Sequence, residues 1–239
     1  MRSSDNGRSA TPAPNADSNS DDCRVYRGRT SRERTEERRE RLISAALSLY
    51  GDAGFRATTV KAVCQQAGLT ERYFYESFAN SEELLCAVCS SSMARMRGLA
   101  REAVERAGTD STARLYASTR AYFDYLRAHP GHARIVLFEM EGASRTTGEH
   151  LRAELEKAVA LIVELHFEAL ASPAPSGLEP ELLSRALLGA IYQLAKEWTL
   201  SDFEIPSETL TRQIQALYSA LILDWQGNAD RTRNARSAR

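Results

Sequence analysis

Glu71, Arg72, Tyr73 and Tyr75 place a carboxylate, a guanidinium and two phenols within one short stretch of this 239-residue chain. A guanidinium can grip guanine O6 and N7 with two donors, whereas a carboxylate can only accept, for example from cytosine N4. A phenol can donate to a phosphate oxygen while its ring packs on the protein. Taken together, these groups suit the edge and backbone of double-stranded DNA better than any bond-breaking chemistry. Elsewhere there is no G-x-S-x-G, no P-loop and no G-x-G-x-x-G, and none of the four histidines follows a glutamate by three residues. A di-iron carboxylate bundle, the enzyme class most compatible with a helical core, is therefore disfavoured. Cys86-Ala87-Val88-Cys89 has redox or zinc spacing, but it falls inside a long helical stretch without a Gly turn. Zinc would need two further ligands, and only Cys64 is a plausible neighbour. We expect no metal, no cofactor and no catalytic residue. A thiol-responsive regulator using Cys64, Cys86 and Cys89 stays open as an alternative, and a helical small-molecule-binding protein or enzyme as a more distant one.

The elements that must position these groups are legible around them. Thr58 and Thr59 precede Val60, Ala62, Val63 and Ala67, so a threonine hydroxyl can take up an orphaned amide at a helix start. Gly68 supplies a turn that needs φ > 0. Thr70 can cap a second helix with Leu69, Phe74 and Phe78 facing inward, and Ser81 can cap a third, longer one. Upstream, Leu42, Ile43, Ala46, Leu47, Leu49 and Tyr50 recur at helical spacing and roof the pair. Two short helices about a tight turn, braced by a third, make a helix-turn-helix reader.

The order of residues resembles the DNA-binding domain of the tetracycline-repressor (TetR) family of bacterial transcription regulators. The matching positions are Leu42 to Tyr50, Gly54-Phe55, Thr58-Thr59, Ala67-Gly68, Tyr75, Phe78 and Glu82 to Leu85, within a region of 36–96. The resemblance implies phosphate contacts from Thr59 and Tyr75, a groove-edge position for Lys61, and base-edge positions for Glu71, Arg72 and Tyr73, with Thr70 on the same exposed side. Ser81 replaces the family's usual basic residue, and Ser77 its common His or Tyr. Ser81 can still bond a phosphate but releases no counterion, so a shallower salt dependence is expected. The resemblance also implies a homodimer on a palindromic operator and release by a small-molecule effector, as in a repressor.

Net charge is −1, which excludes a general nucleic-acid condenser, but residues 24–80 carry eleven Lys/Arg against seven Asp/Glu. Arg24, Arg27, Arg29 and Arg32 form an acid-free stretch suited to a minor-groove arm, or simply a solvated tail. Residues 1–22 contain no aromatic or branched aliphatic side chain, so 1–30 is expected to be a disordered arm and 228–239 a disordered basic tail. With no signal peptide and no long apolar run, the expectation is a cytoplasmic protein without membrane partners.

The expected fold is all-α, with a reader over 31–80 and a larger effector-binding and dimerisation domain over 81–227. Its helices are expected at about 82–107, 111–128 (stopped by Pro130), 133–141, 149–171, 180–200 and 207–226, with a loop marked by Pro173, Pro175 and Gly177. The last two, carrying Leu183, Leu187, Ala190, Leu194, Ile214, Leu217 and Leu221, would form a four-helix dimer interface. Tyr116, Tyr122, Phe123, Phe138, Phe167, Tyr192 and Trp198 are candidate pocket residues, and no cationic cluster marks an anionic ligand.

Overall fold

The computed structural model describes residues 30–168, 170 and 178–237, with backbone alone from 223 onward. The expected arm, apart from Thr30, and the Pro173–Gly177 loop lie outside the described residues. α1 (Ser31–Asp52) starts at a capping box: Thr30 Oγ accepts from the Glu33 amide at 3.2 Å, and the Glu33 carboxylate accepts from the Thr30 amide at 2.6 Å. Its buried stripe, Leu42, Ile43, Ala45, Ala46 and Tyr50, covers α2 (Val60–Ala67) and α3 (Glu71–Ser77).

Thr59 caps α2 by accepting from the Ala62 amide at 3.1 Å, and Gly68 ends it at φ 62°. Thr58 instead donates back to the Gly54 carbonyl at 2.8 Å. Phe74 and Phe78 are buried beneath α1. Two expected caps are corrected. Thr70 stands at the start of α3 but its hydroxyl makes no capping bond. The cap of α4 (Ser81–Arg106) is Asn80, which accepts from the Glu83 amide at 2.9 Å while Glu83 accepts from Ala79. Asn is at least as good a cap as Ser, and Ser81 becomes the first helical residue.

α5 (Ser111–Ala128) packs between α4 and the last helix, α10 (Ser207–Ser237). α5 ends at Ala128, just before Pro130 as expected, and Pro130 also starts the next helix, where its missing amide costs nothing. α6 (Pro130–Arg134) runs through a π-turn (Ile135–Glu139) into α7 (Met140–Ala143). α8 (Arg145–Ile162) begins at a Ser144–Thr147 capping box, four residues before the expected start, and closes in a second π-turn (Val163–Phe167). α9 (Pro180–Leu200) follows, then α10 (Ser207–Ser237), whose helical backbone runs on through most of the expected disordered tail. The described residues are all-helical, and no helix among them is long and apolar enough to cross a membrane.

Candidate nucleic-acid interface and interior cavity

Glu71, Arg72 and Tyr75 project from the start and outer side of α3, with Tyr75 60% exposed and its ring edge-on to Phe74 at 5.2 Å. Arg72 leans on Glu76 at 3.0 Å and keeps 83% of its side chain in solvent, so turning it toward a base edge breaks only a weak surface pair. Thr59, Lys61 and Thr70 are exposed beside them, and Ser81 is half-buried at the foot of α4. Tyr73 is less free: it is half-buried, with the Arg38 guanidinium 4.6 Å above its ring.

The α1 arginines have tasks that the spacing did not reveal. Arg39 donates to the Ser77 carbonyl at 2.7 Å and lies 4.1 Å over the Phe78 ring. Arg41 donates to the carbonyls of Ala67 at 2.5 Å and Gly68 at 3.3 Å. Those carbonyls end α3 and α2, where amide partners run out and the helix dipole is negative. The two cations therefore fix the reader's geometry. Arg24, Arg27 and Arg29 lie outside the described residues.

Besides the packing of α1 on α4, hydrogen bonds tie the reader to the rest at one corner. Glu139 accepts from the Phe55 amide at 3.3 Å and from Arg134 Nε at 3.1 Å, and Arg134 donates on to the Asp52 carbonyl at 3.2 Å. Arg56 donates to the Gly142 carbonyl at 2.6 Å. Beneath these bonds α1 and α6 touch backbone to backbone: a Cβ on Gly51 would stand 2.7 Å from Gly131 Cα. Glycine is required there by close approach.

A cavity of about 100 Å³ lies within α4, α5, α8, α9 and both π-turns, lined mainly by apolar side chains such as Met93, Met96, Leu115, Leu161 and Ile191. Of the expected pocket residues, Tyr122 and Tyr192 line it. The others do not. Phe123 packs edge-on against Trp198 at 5.6 Å, and Trp198 meets Phe203 at 4.8 Å and donates to the Ile205 carbonyl. Phe167 packs on Tyr218, Phe138 faces Lys196, and Tyr116 sits in a surface groove with Arg212. These rings are core or surface because helical spacing fixes a face, and not which neighbour that face meets. Met93, Met96, Ser118 and His166 were missed. Only Met96, on the α4 apolar stripe, and His166, in line with the α8 apolar set, carried any signal.

Beside the cavity, Glu154 is 1% exposed and accepts from Arg97 at 2.8 Å, Lys157 at 2.7 Å and Ser90 at 3.0 Å. Burial pushes its carboxyl up, but the bonds from Lys157, Arg97 and Ser90 more than offset this and hold it below the usual range. The cysteines do not form a sensor. Cys64 and Cys89 are buried, burial pushes the Cys89 thiol up to about 12, and burial with nearby glutamates raises Cys64 and Cys86. Reactive cysteines need the opposite shift, so the thiol-responsive alternative is set aside.

The expected dimer face is revised in part. Leu217 is 60% exposed, and Leu183, Ala190, Leu194 and Leu221 are half-buried. Leu187 lines the cavity and Ile214 is fully buried in its own chain. Leu182, at 59% exposure, together with Ala186, Gly189, Ala216 and Ala220, completes the open apolar face of α9 and α10.

The described residues thus make an all-helical fold with an exposed helix-turn-helix and an interior cavity, the layout of a DNA-binding protein. Residues 42–88 match the family model described as bacterial regulatory proteins, tetR family. The chain is 25% identical over 177 residues to the HTH-type transcriptional activator FasR of Mycolicibacterium smegmatis, a match covering 73% of this chain and 78% of that one. Its fold is similar to the fatty acid degradation regulator FadR of Bacillus halodurans (TM-score 0.65, 19% identity, 75% of this chain and 93% of that one). It is similar also to FadR of Bacillus subtilis in complex with stearoyl-CoA (TM-score 0.65, 17% identity, 74% and 96%). Residues 42–88 thus carry a tetR-family DNA-binding domain, and the chain as a whole is similar to TetR-type transcriptional regulators.

Proposed function

We propose that the chain acts as a homodimer on an inverted-repeat operator, and that a small apolar molecule entering the cavity releases it, as from a repressor. Residues 31–80 read DNA, with Arg72 and Glu71 at base edges and Thr59, Lys61, Thr70, Tyr75 and Ser81 along the backbone, while the domain from 81 onward binds the effector and dimerises. The reading places it in the cytoplasm with the chromosome. Pairing through α9 and α10 would set two α3 helices about 34–36 Å apart, one turn of DNA or somewhat more.

One observation carries the switch. Val136 lines the cavity, and Glu139, on the same π-turn, holds the Phe55 amide and Arg134. A cavity of this size is comparable to one that accepts benzene, so a longer occupant must push on its walls. The unequal fit of the ligand to the two arrangements then supplies the coupling free energy. An acyl chain suits the lining, and the stearoyl-CoA complex of the structurally similar B. subtilis FadR supports that class.

The test is to incubate the purified chain with sheared DNA from its host, sequence the retained fragments, and repeat with an acyl-CoA present. Enrichment of a few inverted repeats, lost on adding the acyl-CoA, is the expected result. No enrichment at low salt would sink the reading. Transcription in vitro from a recovered site then fixes the sign, which matters because the relative FasR is named an activator.

A further inference from the structure

We propose that the cavity also admits small apolar acids as free carboxylates, the anion docking where His166 of the second π-turn meets Arg114 of α5. The inference rests on the ligand-responsive reading above and adds an effector class that an acyl thioester, whose acyl end carries no charge, does not represent.

Two buried donors stand there without an acceptor. His166 lines the cavity at 4% exposure, and its Nδ1 is buried with no hydrogen-bond partner. Its Nε2 lies 3.2 Å from Ser118 Oγ, and that hydroxyl is also 3.1 Å from the Leu115 carbonyl. When Ser118 donates to Nε2, the ring proton sits on Nδ1, and the ring offers a donor. Arg114 stands one helical turn before Ser118, so the two share a face of α5. It is half-buried, its Nε is buried with no partner, and it forms no ion pair among the described residues. Its charge acts on both the His166 ring and the Tyr218 phenol, and Tyr218 in turn donates to the His166 carbonyl at 2.9 Å. Asp110, the acid nearest in sequence, caps α5 by accepting from the Ala113 amide at 2.6 Å.

A carboxylate answers this pair. It accepts from both donors, and its charge meets that of Arg114, whereas a neutral carbonyl would leave the guanidinium uncompensated. Burying an anion is costly where no counter-charge meets it, and here a cation without a partner is already in place. Arg97, the cation on the lining itself, is not available, because it is bound to the buried Glu154 at 2.8 Å. Lys157, Arg97 and Ser90 hold Glu154 ionised. Glu154 and His166 are twelve residues apart on α8 and the π-turn that continues it, about 18 Å along the axis. The Glu154 end therefore repels an anion, and the His166 end attracts it. A space comparable to one that accepts benzene limits the apolar body to about one ring or a short alkyl chain.

The experiment titrates the full-length chain at pH 7 with benzoate and hexanoate, and with benzamide and hexanamide as neutral counterparts of the same shape. Melting temperature and the ¹⁵N resonances of the histidine rings are followed. Each acid should raise the melting temperature and bind at least about tenfold more tightly than its amide. With benzoate bound, the midpoint of the His166 titration should rise from about 4 by roughly one pH unit, because the anion favours the charged ring. Arg114→Gln should bring acid and amide to equal affinity, and Arg114→Lys should keep part of the preference. Should the glutamine variant fail to fold, the His166 titration in the parent chain decides. Equal or tighter binding of the amides overturns the proposal, as does acid binding that leaves the His166 resonances unmoved, or failure of both acids to bind. Fragment selection separates the two readings: an operator released by acyl-CoA while the acids do not bind refutes only the carboxylate site, whereas no operator refutes the regulator on which it rests.

Discussion

The reader and the domain from residue 81 onward, the proposed effector domain, use charge in opposite ways. In the reader, Arg72 and Glu76 pair in open solvent, while Arg39 and Arg41 spend their donors on the carbonyl ends of short helices. In the effector domain Glu154 is sealed beneath Ser90, Arg97 and Lys157. An exposed pair can be exchanged for a contact with DNA at almost no cost, whereas a buried pair can only be kept or broken at a large one. On the proposed reading, recognition chemistry sits where charge is cheap to redirect, and the cavity is braced where it is not.

The sharpest way to break this contrast is Glu154→Gln. It leaves Arg97, with 21% of its side chain exposed, without its counter-charge, and should cost about 3–5 kcal/mol of unfolding free energy. Removing the exposed partner, Glu76→Gln, should cost at most about 0.5 kcal/mol. Urea unfolding of both variants reads the difference, and similar losses would erase the distinction between the two regions.

Gly51→Ala attacks the seam between them. The new methyl would meet Gly131 Cα at 2.7 Å, so α1 and α6 must separate, at a cost of about 1–3 kcal/mol. If the seam transmits occupancy, operator affinity in this variant should respond less to ligand than in the parent. A full response with the same loss of stability would remove the seam from the switch.

Arg72→Ala should leave stability unchanged, since the side chain is 83% exposed, yet cost about 1–3 kcal/mol at the operator and relax preference at one base pair. Tyr75→Phe should instead weaken all sequences alike by about 1 kcal/mol. Unchanged operator affinity in the arginine variant would misplace the recognition helix.

How much of this was legible follows the same division. Residues 54–85 declare the reader because turns and caps are local: Thr59, Gly68 and the aromatic Phe74 and Phe78 each specify their own neighbourhood. Helix positions beyond it were also readable from apolar spacing, apart from the proline that starts α6, the early start of α8 at Arg145 and the continuation of α10. The cavity was not. Its walls come from six separate elements, and two are π-turns, whose extra residue shifts the side-chain phase that a helical pattern assumes. Phe123 and Trp198 were therefore expected in a pocket that Ser118 and His166 line instead.

Mild acid offers the gentlest test of the contrast, because it can be applied without mutation. All four histidines, 129, 132, 150 and 166, lie outside the reader. Burial, with Arg114 nearby for His166 and His129 for His132, pushes the last of these and His132 down to about 4. A histidine whose folded value lies below its unfolded one binds more protons unfolded, so its contribution to stability is present above about pH 6.5 and is lost as pH falls toward 4. Between pH 6.5 and 5.5 the loss should be about 1 kcal/mol for His166, and it should unfold the effector domain first. Amide exchange across that step should speed up around α8 and α5 while α2 and α3 keep their protection. Equal acceleration in both regions would mean that they unfold as one unit, and that the seam at Gly51 and Gly131 binds them more tightly than its few hydrogen bonds suggest.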